Sequence, residues 1–386
     1  MSPSLYVIRN PGVVRAWAWA RWSAFAAVPL LLTWLIRDPE WSLRVLWYVI
    51  IPVLPATFFI NPRIWRGICP LATLNELGNR PAGSQPLDAR LGFLLSVIGL
   101  ALFHLMVPAR HFLFNQNGMA LAISIVAIGG LAMLLGSMFA VRSAFCNALC
   151  PVLPIEQLYG QQPLLRMTRG RCLTCTLCLK TGCLDLTEKV IPRILGPSRR
   201  SARWLLTPHG AFFAALPGFI IGYNQVGDGT LASAGAVYVT TLGWSLASYV
   251  VTVAAVLGLR LSSRLVLILA AALAGGLYYW FAGPSIATAL GLSPVTGTVI
   301  RAGGLGLVML WLLRAQPGGT FEASPTRVTF NRRKFLKVTE GGEDRDEAPV
   351  PDLCAGRNVR PGTCPQGPSR GAGTRSVRNA AGPSPP

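Results

Sequence analysis

The chain has 386 residues and a formal net charge of +20, with 52% hydrophobic and only 13% charged residues. Soluble domains carry about 25% charged residues, so this composition, with mean hydropathy +0.47, excludes an ordinary soluble fold and points to a multi-pass membrane protein. The Lys and Arg residues lie between apolar runs, which reads as membrane topology rather than a nucleic-acid-binding face, and no nucleic-acid partner is expected.

Arg9 and Arg15 precede the first apolar run, which ends in RDPEWS rather than a small-residue cleavage site, so it reads as a retained anchor. A run of roughly 20 apolar residues spans the hydrocarbon core. Eight such runs are expected, at about 16–36, 42–60, 91–109, 119–141, 210–227, 234–258, 263–283 and 297–315. The fifth is weakened by Pro217, and the eighth carries Arg301. The connection after the second run holds Arg63, Arg66, Arg80 and Arg90. The one after the fourth holds ten Arg and Lys residues against Glu156, Asp185 and Glu188, and Arg260 and Arg264 fill the turn after the sixth. The alternate connections are poor in charge. The positive-inside rule then places the basic connections and both termini in the cytoplasm, at a bacterial-type inner membrane. The expected fold is an all-α polytopic membrane protein of about eight transmembrane helices, with a small cytoplasmic segment between the fourth and fifth. The expected division is 1–141 and 209–315 as membrane regions, 142–208 as the cytoplasmic segment and 316–386 as a tail. That tail is rich in Gly, Pro, Ser and Arg and is expected to be disordered. Within it NRRKFLK, 331–337, reads as a solvated stretch in preference to a contact with anionic membrane lipid.

A partial repeat underlies the first half. FFINPRIWRGICPLATLNELG follows the second run and MFAVRSAFCNALCPVLPIEQLYG follows the fourth. Aligned on Cys69 and Cys150, both read Cys-Pro, and Leu77 falls opposite Leu158.

Nine cysteines are present. Cys354 and Cys364 fall in the tail. Cys69, Cys146, Cys150, Cys172, Cys175, Cys178 and Cys183 fall in two basic loops. A reducing cytoplasm disfavours disulfides, so dense thiols there read as metal ligands. Cys172-x2-Cys175-x2-Cys178 wraps three corners of a cubane iron–sulfur cluster, with the fourth ligand coming from elsewhere, often a Cys-Pro. Zinc prefers two separated ligand pairs. Cys183 follows at an offset of four intervening residues and precedes Leu184 rather than Pro, so it caps its own cluster or serves another. Cys69 and Cys150, each followed by Pro, are the other candidates; Cys150 is taken with Cys172, Cys175 and Cys178 as the metal set. A cubane takes four cysteines, so one complete [4Fe–4S] cluster is expected. A second would draw on Cys69, Cys146, Cys150 or Cys183 with a non-cysteine ligand.

FCNALCP with CLTCTLC resembles the membrane-bound polyferredoxins: quinol-dehydrogenase subunits that feed periplasmic nitrate reductase, and iron–sulfur proteins of nitrous-oxide reduction and cytochrome oxidase assembly. The resemblance covers about residues 45 to 190 and leaves the last four runs unexplained. Cys146-x3-Cys150-Pro151 matches the family motif; in the first copy Trp65 stands where Cys146 stands in the second. The resemblance implies a membrane electron carrier, or a subunit of an oxidoreductase. Its donor would be a cytoplasmic ferredoxin or flavodoxin, its acceptor a quinone or a membrane oxidoreductase subunit. It equally implies an accessory, redox-sensing protein in the maturation of a respiratory enzyme.

The remaining candidates are sparse. His104 toward the outer side of the third run and His209 at the inner start of the fifth are expected at opposite faces, which disfavours a bis-His haem. His104 or His111, beside Arg110, reads as an interfacial polar residue in preference to the wall of an outer quinone pocket. Arg301 is expected to snorkel. Trp17, Trp19, Trp22, Trp41 and Trp47 read as an interfacial belt, and Gly275, Gly276, Gly303, Gly304 and Gly306 as helix-packing positions. No hydrolase or nucleotide-binding motif is present.

Overall fold

The computed structural model describes residues 6–7, 11–79, 85, 87–139, 143–165, 167–168 and 202–315. Cys172, Cys175, Cys178, Cys183 and the tail from 316 lie outside the described residues. The helices are α1 (Pro11–Arg37), α2 (Pro39–Val45), α3 (Ile51–Ile60), α4 (Pro62–Ile68), α5 (Pro70–Gly78), α6 (Ala89–Ala109) and α7 (Gly118–Met138). After them come α8 (Leu153–Tyr159), α9 (Pro208–Gln225), α10 (Ala234–Leu259), α11 (Ser263–Ala289) and α12 (Pro294–Arg314). Among the described residues three π-helical segments, Leu46–Ile50, Arg110–Phe114 and Phe145–Leu149, interrupt or join them. Two-residue strands β1 (Tyr6–Val7) and β2 (Met167–Thr168) pair in parallel.

Helix starts are written locally. Asp38-Pro39, Asn61-Pro62, Thr207-Pro208 and Ser293-Pro294 each put a capping side chain before a proline in the first turn. The cap accepts an N–H that would otherwise be unpaired, and proline has no N–H to satisfy there.

Among the described residues seven stretches are long and apolar enough to cross a membrane: Arg15–Arg37, Pro39–Ile60, Arg90–Phe114, Gly118–Met138, Leu231–Leu259, Ser263–Ala289 and Pro294–Arg314. The fifth expected run, 210–227, forms α9, which is helical but is not one of the seven. Its position gives the reason. Phe212, Phe213, Leu216, Phe219 and Ile220 are all buried, and a Cβ at Gly218 or Gly222 would meet the Thr240–Trp244 stretch of α10. A helix enclosed by other helices escapes the uniform apolarity that lipid contact demands. The outer faces of the long helices show the complement: Val239, Leu246, Val250 and Leu257 on α10 and Val299 and Leu310 on α12 are exposed.

Other expectations divide. Trp19, Trp22 and Trp41 are exposed, as a belt requires. Trp17 instead packs against Gly67, and Trp47 lies under the Arg110 guanidinium, 4.7 Å from its ring centre. A side chain at Gly275 would strike Phe59, and one at Gly304 would overlap Tyr279. Gly303 and Gly306 face open space, and Gly276 has only an ordinary neighbour, so these three are not close-packing positions. Arg301 turns to the neighbouring helix, donating from Nε to the Trp280 carbonyl (2.9 Å) with its guanidinium 4.3 Å from the Trp280 ring centre.

Candidate functional site

The two Cys-Pro turns form one structural unit. Cys69 joins α4 to α5 with φ −59° and ψ 121°; Cys150 joins the Phe145–Leu149 π segment to α8 with φ −56° and ψ 120°. Each amide closes the preceding turn at 2.8 Å, Cys69 to Trp65 and Cys150 to Phe145. Each carbonyl opens the following one at 3.1 Å, to Thr73 and to Leu153. The residue before a proline is driven to this extended conformation, so the repeat in sequence becomes a repeat in geometry. Cys69 occupies the N-cap of α5, yet its side chain makes no capping hydrogen bond.

The turns are fastened to the bundle. Asn75 donates to the Ala132 carbonyl (2.7 Å) and Asn79 to those of Gly136 and Phe139, tying α5 to α7. A Cβ at Gly99 would meet the Leu149 carbonyl, so the second turn reaches the middle of α6. Arg66, three residues before Cys69, pairs with Glu156, six residues after Cys150. Both are nearly sealed, with side chains 8% and 6% exposed. Arg66 also donates to Asn147 Oδ1 at 3.4 Å. Burial pushes the Glu156 carboxyl up, and the charge and hydrogen bond of Arg66 pull against it. Arg21 of α1 pairs with Glu76 and donates to Thr73 Oγ1 (3.0 Å), holding α5 from the other side.

Cys69, Cys146 and Cys150 are part-exposed and in no disulfide. Cys146 and Cys150 border the small core of Ala132, Phe145 and Leu149. Burial pushes the Cys150 thiol up to about 12, reinforced by the nearby Cys69 and by Glu156 and opposed by the Val152 and Leu153 amides. The thiol is therefore protonated at neutral pH, and a metal taking it as a ligand must displace that proton. Among the described residues no three His, Cys, Asp or Glu side chains gather to hold a metal ion. Cys69, Cys146 and Cys150 thus do not make a site on their own.

A second polar cluster lies just past the C-terminal end of α6. His111 Nδ1 is 2.7 Å from Asp228 Oδ1, and Asn115 donates to the other carboxylate oxygen at 2.7 Å. Arg110 donates to Tyr223 Oη and Asn115 Oδ1, both at 3.0 Å, and its guanidinium stands over Trp47 and Tyr48. His111 Nε2 is buried with no hydrogen-bond partner. The sequence flagged His111 and Arg110 but not their partner; Asp228, the sole acid in the connection before α10, was the available signal. Glu156 was equally available as the sole acid between 143 and 165. The histidines correct one expectation. His104 packs edge-on against Phe212, with ring centres 5.5 Å apart, and Phe212 is one turn from His209. His104 is equally close to Phe219, at 5.4 Å, so it lies level with the middle of α9 while His209 is in the first turn, and the two are not at opposite faces. Their contacts are separate, His104 with the Leu100 carbonyl and His209 with Phe213.

No protein-family model, curated protein or solved structure matches the chain. The likeness to membrane polyferredoxins rests on the cysteine motifs alone.

Proposed function

We propose that the chain is a membrane-bound iron–sulfur protein that passes electrons between a donor on the cysteine side and a quinone or redox subunit in the membrane. One observation supports this above the rest. Cys69 and Cys150, far apart in sequence, sit in matching Cys-Pro turns that Arg66 and Glu156 bridge. The bound [4Fe–4S] cluster supplies one-electron chemistry. Cys172, Cys175 and Cys178 hold it, Cys150 is the remote ligand, and Cys69, Cys146 and Cys183 are the reserve thiols. Arg66 and Glu156 fix the two turns against one another, and the bundle keeps the turns at the membrane. The cysteine loops and termini face the cytoplasm of a bacterial-type membrane, where the ten basic residues of the 142–208 segment steer an acidic ferredoxin or flavodoxin.

Anaerobic purification with iron and sulfide analysis and EPR tests the reading. Iron with labile sulfide and a cubane EPR signal is expected; zinc without sulfide overturns it. Cys150→Ser is expected to abolish or shift the signal. An unchanged spectrum moves the fourth ligand to Cys183 or Cys69. Turnover with a quinol or a reduced ferredoxin is expected of a carrier, and none with either favours the accessory, redox-sensing role.

A further inference from the structure

Between α6, α9 and α10 lies an open groove of about 390 Å³, walled by apolar side chains including Val97, Leu100, Phe212 and Leu246. That volume is in the range of small-molecule sites. Three polar side chains also line it: His104, Ser245 and Tyr249. Each has already committed a hydrogen. Ser245 donates to the Thr241 carbonyl at 2.8 Å, and Tyr249 to the Leu205 carbonyl at 3.2 Å. His104 Nδ1 lies 2.9 Å from the Leu100 carbonyl. A carbonyl only accepts, so Nδ1 carries the ring proton and Nε2 keeps a lone pair. The ring is held by edge contacts with Phe103, Phe212 and Phe219, centres 5.4–5.6 Å apart. The groove thus offers lone pairs, aromatic edges and apolar walls, and no uncommitted side-chain hydrogen.

We propose that this groove binds a membrane-dissolved phenolic molecule, its ring and tail against the apolar walls and its hydroxyl donating to His104 Nε2. The site selects for a donor. A ketone of the same shape finds no hydrogen to accept, and an alkylbenzene forgoes the hydrogen bond altogether. The one neutral hydrogen bond favours the phenol about fivefold over a hydrocarbon of the same shape. The site stands apart from the cysteine turns and does not depend on a cluster.

The test uses the full-length protein in lipid nanodiscs, with a diazirine-bearing decylbenzene as photolabel, located by mass spectrometry on the 97–104 and 208–215 peptides. 4-Decylphenol is expected to displace the label at a concentration about fivefold lower than decylbenzene. 4-Decylacetophenone, which can only accept, is expected to match decylbenzene. In His104→Phe the phenol preference is expected to vanish while the groove is still labelled, which shows that the fold persists. Equal displacement by phenol and decylbenzene on the unaltered protein overturns the proposal and leaves a groove for lipid chains. So does a phenol preference that survives His104→Phe, or stronger displacement by 1-dodecanol than by the phenol. Iron and sulfide content is expected to be the same in His104→Phe, so a failure here is distinct from a failure of the cluster.

Discussion

Arg66 and Glu156 are the side chains on which the cysteine turns depend. Each is nearly sealed from solvent, so removing one leaves the other charge buried, at a cost of about 3–5 kcal/mol. Glu156→Gln is expected to lower stability by about 3 kcal/mol in detergent unfolding experiments. The double variant Arg66→Met, Glu156→Leu is expected to recover more than half of that, because no charge then remains unpaired. Asp228 makes the pH prediction. Burial would raise its carboxyl, but hydrogen bonds from His111 and Asn115 and the charges of His111 and Arg110 outweigh that and hold it below the usual range. A carboxyl that titrates lower when folded contributes stability above its unfolded value and loses it as the pH falls through the folded one. Thermal melts from about pH 7 to about pH 3 are therefore expected to fall more steeply for the native chain than for Asp228→Asn. Parallel curves would show that the His111–Asp228 pair contributes nothing.

At the scale of elements, the three π-helical segments coincide with the polar chemistry. Leu46–Ile50 carries Trp47 and Tyr48, Arg110–Phe114 carries Arg110 and His111, and Phe145–Leu149 carries Cys146 and leads into Cys150. A π turn adds a residue to the helical register and re-aims the side chains around it, which is why such turns recur at functional sites. Hydrophobic periodicity does not report them: the apolar runs through 46–50 and 110–114 read as plain helix. Glycines at element contacts are equally opaque in sequence, where Gly303 and Gly304 look alike. Only Gly304 faces Tyr279. Gly304→Ala is expected to cost about 1–3 kcal/mol through overpacking. Gly303→Ala, in open space, is expected to stay within about 0.5 kcal/mol. Denaturant titration of the two variants side by side checks the contrast.

The whole molecule turns on where α9 runs. Gln116 donates to the Gly229 carbonyl at 2.6 Å and the Gly229 amide to the His111 carbonyl at 2.9 Å, so the chain beyond α9 ends beside the α6–α7 connection. At the other end Leu164 and Leu165 donate to the Phe59 and Ile60 carbonyls, beside the cysteine turns. Phosphatase reporters fused after Gln116 and after Gly229 are therefore expected to report the same side of the membrane, and one after Leu165 the opposite side. If the Gly229 fusion behaves like the Leu165 fusion, α9 does not carry the chain across. The sequence by itself determined seven long apolar helices among the eight runs it offered, the capped, proline-marked starts of α2, α4, α9 and α12, and the paired Cys-Pro turns. Those features depend on local apolarity, capping chemistry and the restriction that proline places on its predecessor. Only the tertiary structure decided that α9 is an interior helix, that Arg66 reaches Glu156 and His111 reaches Asp228, and that His104 faces a groove rather than an outer interface. Each of these depends on which faces of distant helices meet, and nothing within a single helix records that.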